Sequence, residues 1–167
     1  MGEATLMFGV GATKAGTSWL YRYLADHPEC HLRSIKELHF FDALDTGRVD
    51  QQMTVLDRQR SRLALRQAGG AAHSAERAAR LADIEEYQRV LTSGSEKAYM
   101  AYLDAGRGDH RLIADITPAY SLLSVGRLTK MAKMASTVRF VYLMRDPVSR
   151  LWSHVRMLAK RRADADA

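Results

Sequence analysis

TLMFGVGATKAGTSWLYRYLADHPE, residues 5–29, carries the clearest structural pattern of the chain. Thr5 to Val10 is a short apolar run of the kind that forms a buried parallel strand. Gly9, Gly11 and Gly16 then give the backbone freedom to turn tightly and come close to a ligand. From Thr17 onward, Trp19, Leu20, Tyr23 and Leu24 recur at helical spacing, and His27-Pro28 stops the segment. The first turn of such a helix carries unpaired N–H groups and a partial positive charge. Lys14 adds a full charge there, and Thr17 and Ser18 add hydroxyl donors. Strand, loop and helix N-terminus together make an anion cradle. The plain alternative is a glycine-rich turn with no ligand.

The loop differs from the GxxxxGK[ST] phosphate loop, in which lysine directly precedes Ser or Thr. Here Lys14 precedes Gly16, giving K-A-G-T-S at 14–18, which argues against an ordinary NTPase or kinase. A second anion motif lies in VRFVYLMRDPVSRLWSHVR, 138–156. Val138 to Met144 is another strand-like run of β-branched and aromatic residues, with Arg145 at its C-terminal end. Open parallel sheets bind ligands outside those ends. Asp146-Pro147 reads as a cap and first position of a helix whose Val148, Leu151, Trp152, Val155 and Leu158 form an apolar stripe. Arg145 and Ser153 would both reach a phosphate if that helix folds back beside the strand end. The competing reading makes Arg145 and Asp146 a surface ion pair. Both anion motifs point to a phosphorylated or sulfated nucleotide.

K-A-G-T-S-W resembles the 5′-phosphosulfate loop of sulfotransferases that use 3′-phosphoadenosine 5′-phosphosulfate (PAPS). Three further segments agree, in order. HPE at 27–29 with KELHFFD at 36–42 resembles the stretch after the first helix of carbohydrate-type members. ADITPAY at 114–120 resembles their E-K-T-P-x-Y segment. RDPVSRLWS at 145–153 resembles their 3′-phosphate motif, an Arg with a Ser eight residues later. The resemblance spans residues 5–156, with little in 43–110. It implies an α/β, P-loop-like three-layer fold with a parallel sheet flanked by helices. It also implies sulfuryl transfer from PAPS to an acceptor hydroxyl, with a carbohydrate-like acceptor such as a glycan expected, leaving adenosine 3′,5′-bisphosphate.

The site residues follow from the matched motifs. Lys14 stabilises the leaving 5′-phosphate, and Ala15, Gly16, Thr17 and Ser18 hold the 5′ end with it. Arg145 and Ser153 take the 3′-phosphate. Trp19 corresponds to a tryptophan near adenine in some relatives, or is a core position on the first helix. Glu37 is the candidate general base. His39 is the runner-up, or a packed, hydrogen-bonded core residue. Lys36 contacts the sulfuryl group or acceptor, or is a solvated surface lysine. No metal is required, because the lysine covers the charge that Mg²⁺ would otherwise neutralise. D-I-T-P departs from E-K-T-P: Ile116 supplies no charge, so acceptor recognition is expected to differ from heparan-type enzymes. Asp115 either orients Lys14 or an acceptor hydroxyl, or simply ends a strand. Two other readings are an ATP-dependent phosphotransferase and a truncated, non-catalytic nucleotide-binding module.

The 167 residues suit one domain with a real core, and 47% hydrophobic content is globular. No apolar run is long enough to span a membrane, and no secretory signal is visible. One cysteine, Cys30, excludes an internal disulfide and suits a reducing, cytoplasmic setting. The six histidines show no metal-ligand spacing. The net charge of +6 suits an anionic cosubstrate. Basic residues are scattered among acidic ones, which argues against nucleic acid. Residues 51–68 and 75–92 are rich in helix formers, broken by GGAAHS at 69–74, within a helical insert spanning 43–110. Glu96–Ala105 reads as a further helix, Arg111–Ile116 as a strand and Leu122–Ala135 as a helix. RGD at 107–109 reads as a loop. Family members continue well past the RDP helix, so the expectation is a single domain, a fragment or natural truncation lacking its C-terminal part. Such a chain would have low activity and would self-associate through an exposed sheet edge.

Overall fold

A computed structural model of the chain describes residues 2–67 and 74–163. Four parallel strands form one sheet: β1 (Thr5–Gly11), β2 (Cys30–Leu32), β3 (Leu112–Asp115) and β4 (Val138–Tyr142), in the order β2-β3-β1-β4. Seven helices flank it among the described residues: α1 (Thr17–Ala25), α2 (Phe40–Asp45), α3 (Val49–Gln67), α4 (Ser74–Ser93), α5 (Glu96–Asp104), α6 (Val125–Met131) and α7 (Pro147–Ala163). The α/β class expected from the sequence is the one observed.

β1 is central because both its faces are apolar. Leu6 to Gly11 are buried throughout, as in a parallel strand covered on both sides. Gly9 and Gly11 serve this packing rather than a ligand. A Cβ at Gly9 would lie 2.8 Å from Ile116 Cδ1, and one at Gly11 would collide with the Tyr142 ring. Only Gly16 of the three adopts the left-handed conformation, at φ 105°.

The aromatic core ties β1 to the segments that carry the site. Phe8 meets Phe41 edge-on at 5.9 Å, Tyr120 at 6.3 Å and Phe140 in a stack at 5.5 Å. Phe40 stacks on Tyr99 at 4.4 Å. Phe40, Phe41, Tyr99 and Tyr120 are all fully buried, so α2, α5 and the turn after β3 close on one another. A second tie holds the long helices. Arg33 donates from Nε to Asp83 at 2.9 Å, pairs with Glu86 and lies 4.1 Å over the Tyr102 ring. Tyr102 and the Ser34 amide also donate to Asp83, each at 2.9 Å. The segment just before Lys36 is thereby fastened to α4 and α5.

Several boundaries differ from the sequence reading. β2, three residues long, is not signalled by any apolar alternation. The helix expected over 122–135 is shorter. Pro118–Leu122 is a 3₁₀ turn, and the Ser124 hydroxyl accepts from Arg127 N at 3.1 Å, so α6 starts at Val125. The break expected at GGAAHS lies outside the described residues, except that α4 begins at Ser74. The stripe on α7 has helical period, yet Val148, Leu151, Trp152, Val155 and Leu158 are all exposed. No layer among the described residues covers it. Phe140 and Tyr142 of the edge strand β4 are exposed as well.

Candidate functional site

The loop after β1, the segment before α2 and the start of α7 converge on one cavity of about 710 Å³. It lies at the C-terminal end of the sheet, where parallel strands bind ligands. Lys14, Gly16, Thr17 and Ser18 line it from the first loop and helix, and Glu37 and His39 from the second segment. Arg145 and Ser153 line it from the end of β4 and from α7. Pro118 and Ala119 add an apolar wall, and His154 and Met157 complete the α7 side. Sequence reasoning did not single out His154 and Met157. They follow from the turn of the helix that brings Ser153 inward, at positions the apolar stripe does not occupy. Ala15 and Trp19 are not among the lining residues. Trp19 is 67% exposed and stacks on Tyr23 at 5.5 Å, so it is not a core position.

Among the described residues, neither the Lys14 ammonium nor the Arg145 guanidinium has a carboxylate within ion-pairing distance. Arg145 reaches only the Lys14 carbonyl, 3.4 Å from Nη1, so the two anion motifs touch through their backbone and side chain. It forms no surface ion pair with Asp146, whose carboxylate caps α7 by accepting from Ser149 N at 2.8 Å. Lys14 has φ 67°, a conformation that non-glycine residues hold only where surrounding structure imposes it. The first turn of α1 holds no acidic residue and no side-chain cap, and while Trp19 N donates to Gly16 O at 2.9 Å, the Thr17 and Ser18 amides are left for an anion. Together they make a cationic, hydrogen-bond-donating wall suited to an anion.

Opposite them stands a chain of alternating charges. Lys36 Nζ lies 3.0 Å from Glu37 Oε1, Glu37 Oε2 lies 3.2 Å from His39 Nε2, and His39 Nδ1 lies 2.8 Å from Asp42 Oδ2. Lys36 is therefore no free surface lysine. Burial acts to discharge His39, but hydrogen bonds to Asp42 and Glu37 outweigh it and raise its pKa to about 9. Burial likewise acts to raise the Glu37 carboxyl, and His39 and Lys36 outweigh it, holding Glu37 below its ordinary value. His39 at neutral pH is thus an imidazolium donating both N–H groups. In that form it has no lone pair to offer, so this arrangement favours Glu37 over His39 as the acceptor of a proton. His39 also stands at φ 57°, the second strained non-glycine residue on the cavity.

A raised histidine pKa stabilises the fold when the group is charged. That contribution is complete below the unfolded value of 6.5 and is lost as pH rises through about 9. The lowered Glu37 works in the opposite direction, its contribution disappearing as pH falls through its folded value. Wild-type melting temperature should therefore decline between pH 6.5 and 9, with a shallower decline in His39→Gln. Scanning calorimetry across that range reads both slopes, and equal slopes would mean that the pair is not formed.

Asp115 does not touch Lys14. It ends β3, it is 2% exposed, and its carboxylate accepts from Tyr99 at 2.6 Å, Thr117 at 2.6 Å and Tyr120 at 2.7 Å. Ile116 is buried against β1 at Gly9.

No group of three or more His, Cys, Asp or Glu residues among those described could hold a metal ion. No described helix is long and apolar enough to cross a membrane. A family model described as "Sulfotransferase family" matches residues 7–166. No curated protein and no solved structure matches the chain.

Proposed function

The chain belongs to the sulfotransferase family, and from that premise we propose that it moves a sulfuryl group from PAPS to an acceptor hydroxyl by in-line displacement. One observation carries this reading. Two unpaired cations, Lys14 and Arg145, share one cavity with the open N-terminus of α1 and with an ionised carboxylate, Glu37. A nucleotide with anionic groups at both its 5′ and 3′ positions suits such a pair. Lys14, Gly16, Thr17 and Ser18 hold the 5′ end, aided by the Ala15 backbone that shapes the loop. Arg145 and Ser153 hold the 3′-phosphate, and the exposed Trp19 ring on α1 is left for the adenine.

In the reaction the bond from sulfur to the 5′-phosphate oxygen breaks as the bond from the acceptor oxygen to sulfur forms. The electron pair leaves with adenosine 3′,5′-bisphosphate, where Lys14 and the loop amides meet the growing negative charge. Glu37 takes the acceptor proton. A carboxylate held below its ordinary pKa is a weak base, so it acts late, once attack has made the hydroxyl proton acidic. Positioning and charge do most of the work, and no metal enters the scheme.

The acceptor is proposed to carry a sugar-like hydroxyl, on the strength of the KELHFFD segment. A cytoplasmic setting fits the single thiol of Cys30. The test is release of adenosine 3′,5′-bisphosphate from PAPS in the presence of a panel of hydroxyl compounds. Arg145→Ala should raise KM for PAPS by about 10- to 100-fold, the loss of charge-assisted hydrogen bonds to one phosphate, with kcat little changed. An unchanged KM would remove Arg145 from the cosubstrate site.

A further inference from the structure

The loop that carries Glu37 and His39 is gripped through its own peptide groups, and the grip on its N–H side converges on one buried carboxylate. The Thr117 hydroxyl oxygen accepts from Leu38 N at 3.2 Å and, more weakly, from His39 N at 3.5 Å. The Tyr120 hydroxyl oxygen accepts from Phe40 N at 3.0 Å. Each hydroxyl has a single proton to donate. Both protons go to Asp115, Thr117 to Oδ1 and Tyr120 to Oδ2. Each oxygen must therefore present its lone pairs to the loop. On the carbonyl side, Tyr87 donates to Leu38 O at 2.7 Å and Gln52 donates to Leu38 O at 3.2 Å. Those bonds do not depend on Asp115.

We propose that Asp115 is a positioning residue for the Glu37–His39 pair. By taking the hydroxyl protons of Thr117 and Tyr120 it fixes the direction of their hydrogen bonds. It thereby holds three consecutive amides, Leu38 to Phe40, in the geometry that sends Glu37 and His39 into the cavity. Burial raises the Asp115 carboxyl, while bonds from Thr117, Tyr99 and Tyr120 oppose that rise. Tyr99 of α5 donates to the same oxygen as Tyr120, which extends the network to the helical layer. The positioning itself stands on geometry alone. Its consequence for turnover rests on the sulfotransferase reading above.

The test combines amide hydrogen exchange with turnover in the full chain. In Thr117→Val the Leu38 and His39 amides should exchange about tenfold faster or more, with Phe40 unchanged. In Tyr120→Phe only Phe40 should change. In Asp115→Asn all three should, while the β1 amides of Leu6 to Phe8 keep their protection. Thr117→Ser keeps the hydroxyl and should restore the wild-type pattern. PAPS breakdown with water as acceptor should fall by about tenfold or more in Asp115→Asn and Thr117→Val. The Kd for adenosine 3′,5′-bisphosphate should stay within about twofold, since a shifted Glu37 alters the reaction and not the phosphate grip. Unchanged exchange at all three amides in Asp115→Asn would overturn the proposal. Should that variant not fold, equal exchange in Thr117→Val and Thr117→Ser would do the same. A wild-type chain that does not turn over PAPS would sink the functional reading while the exchange pattern still decides the positioning.

Discussion

Replacing Lys14 with alanine is expected to lower sulfuryl transfer by about 10²-fold or more, the cost of removing one preorganised charge from a developing anion. The effect should fall on kcat. Lys14 lines the cavity without an ion-pair partner among the described residues, so its charge is available to the departing phosphate. It stands at φ 67°, and alanine at that position keeps the same backbone preference, so the loop should survive the change. Arginine keeps the charge but places it on a planar fork rather than a compact ammonium, and should restore only part of the rate. Melting temperature should barely move, since no buried contact is lost. The measurement is single-turnover release of adenosine 3′,5′-bisphosphate. A Lys14→Ala chain with wild-type kcat would mean that another group meets the charge.

Glu37→Gln should lower turnover by about 10²- to 10⁴-fold, the usual range for loss of a positioned base. Glutamine keeps the size of the side chain, but its single amide oxygen can accept from only one of Lys36 and His39, and it cannot take the acceptor proton. Binding of adenosine 3′,5′-bisphosphate should be unaffected. The same substitution removes one of the two carboxylates that keep His39 charged. Its pKa, read from the imidazole proton resonances, should therefore drop from about 9. The two readouts separate two roles. A changed His39 titration with an unchanged rate would keep the ion pair and remove Glu37 as the base.

Much of this was legible in the chain itself. The apolar run at 5–10, the Lys14 loop and the stripe after Thr17 foretell β1, the anion loop and α1, because burial and helix periodicity leave strong local patterns. The run ending at Arg145 foretells β4, and Asp146-Pro147 foretells the capped start of α7. What sequence could not show were relations between distant segments. The Asp115 network joins residues 38–40 to 99, 117 and 120, and nothing local in D-I-T-P says which hydroxyls its carboxylate will meet. His39 looked equally suited to base or core. Its role turns on Asp42 one helical turn away and on the Glu37 carboxylate, which together fix it as a cation. Gly9 and Gly11 looked like ligand glycines because the motif around Gly16 is one. Their reason is the close approach of Ile116 and Tyr142 across the sheet. The α7 stripe shows the limit of periodicity: it identifies a helix without saying what covers its apolar face.

In the proposed mode the Lys14 loop and Arg145 grip the two anionic ends of one adenine nucleotide. Isothermal calorimetry with adenosine 3′,5′-bisphosphate, adenosine 5′-monophosphate and Mg²⁺-ATP decides whether they do. The bisphosphate should bind at least about tenfold tighter than either competitor, and Arg145→Ala should erase its advantage over the 5′-monophosphate. Equal binding of the two adenosine phosphates by the wild-type chain, or a preference for Mg²⁺-ATP, would contradict it.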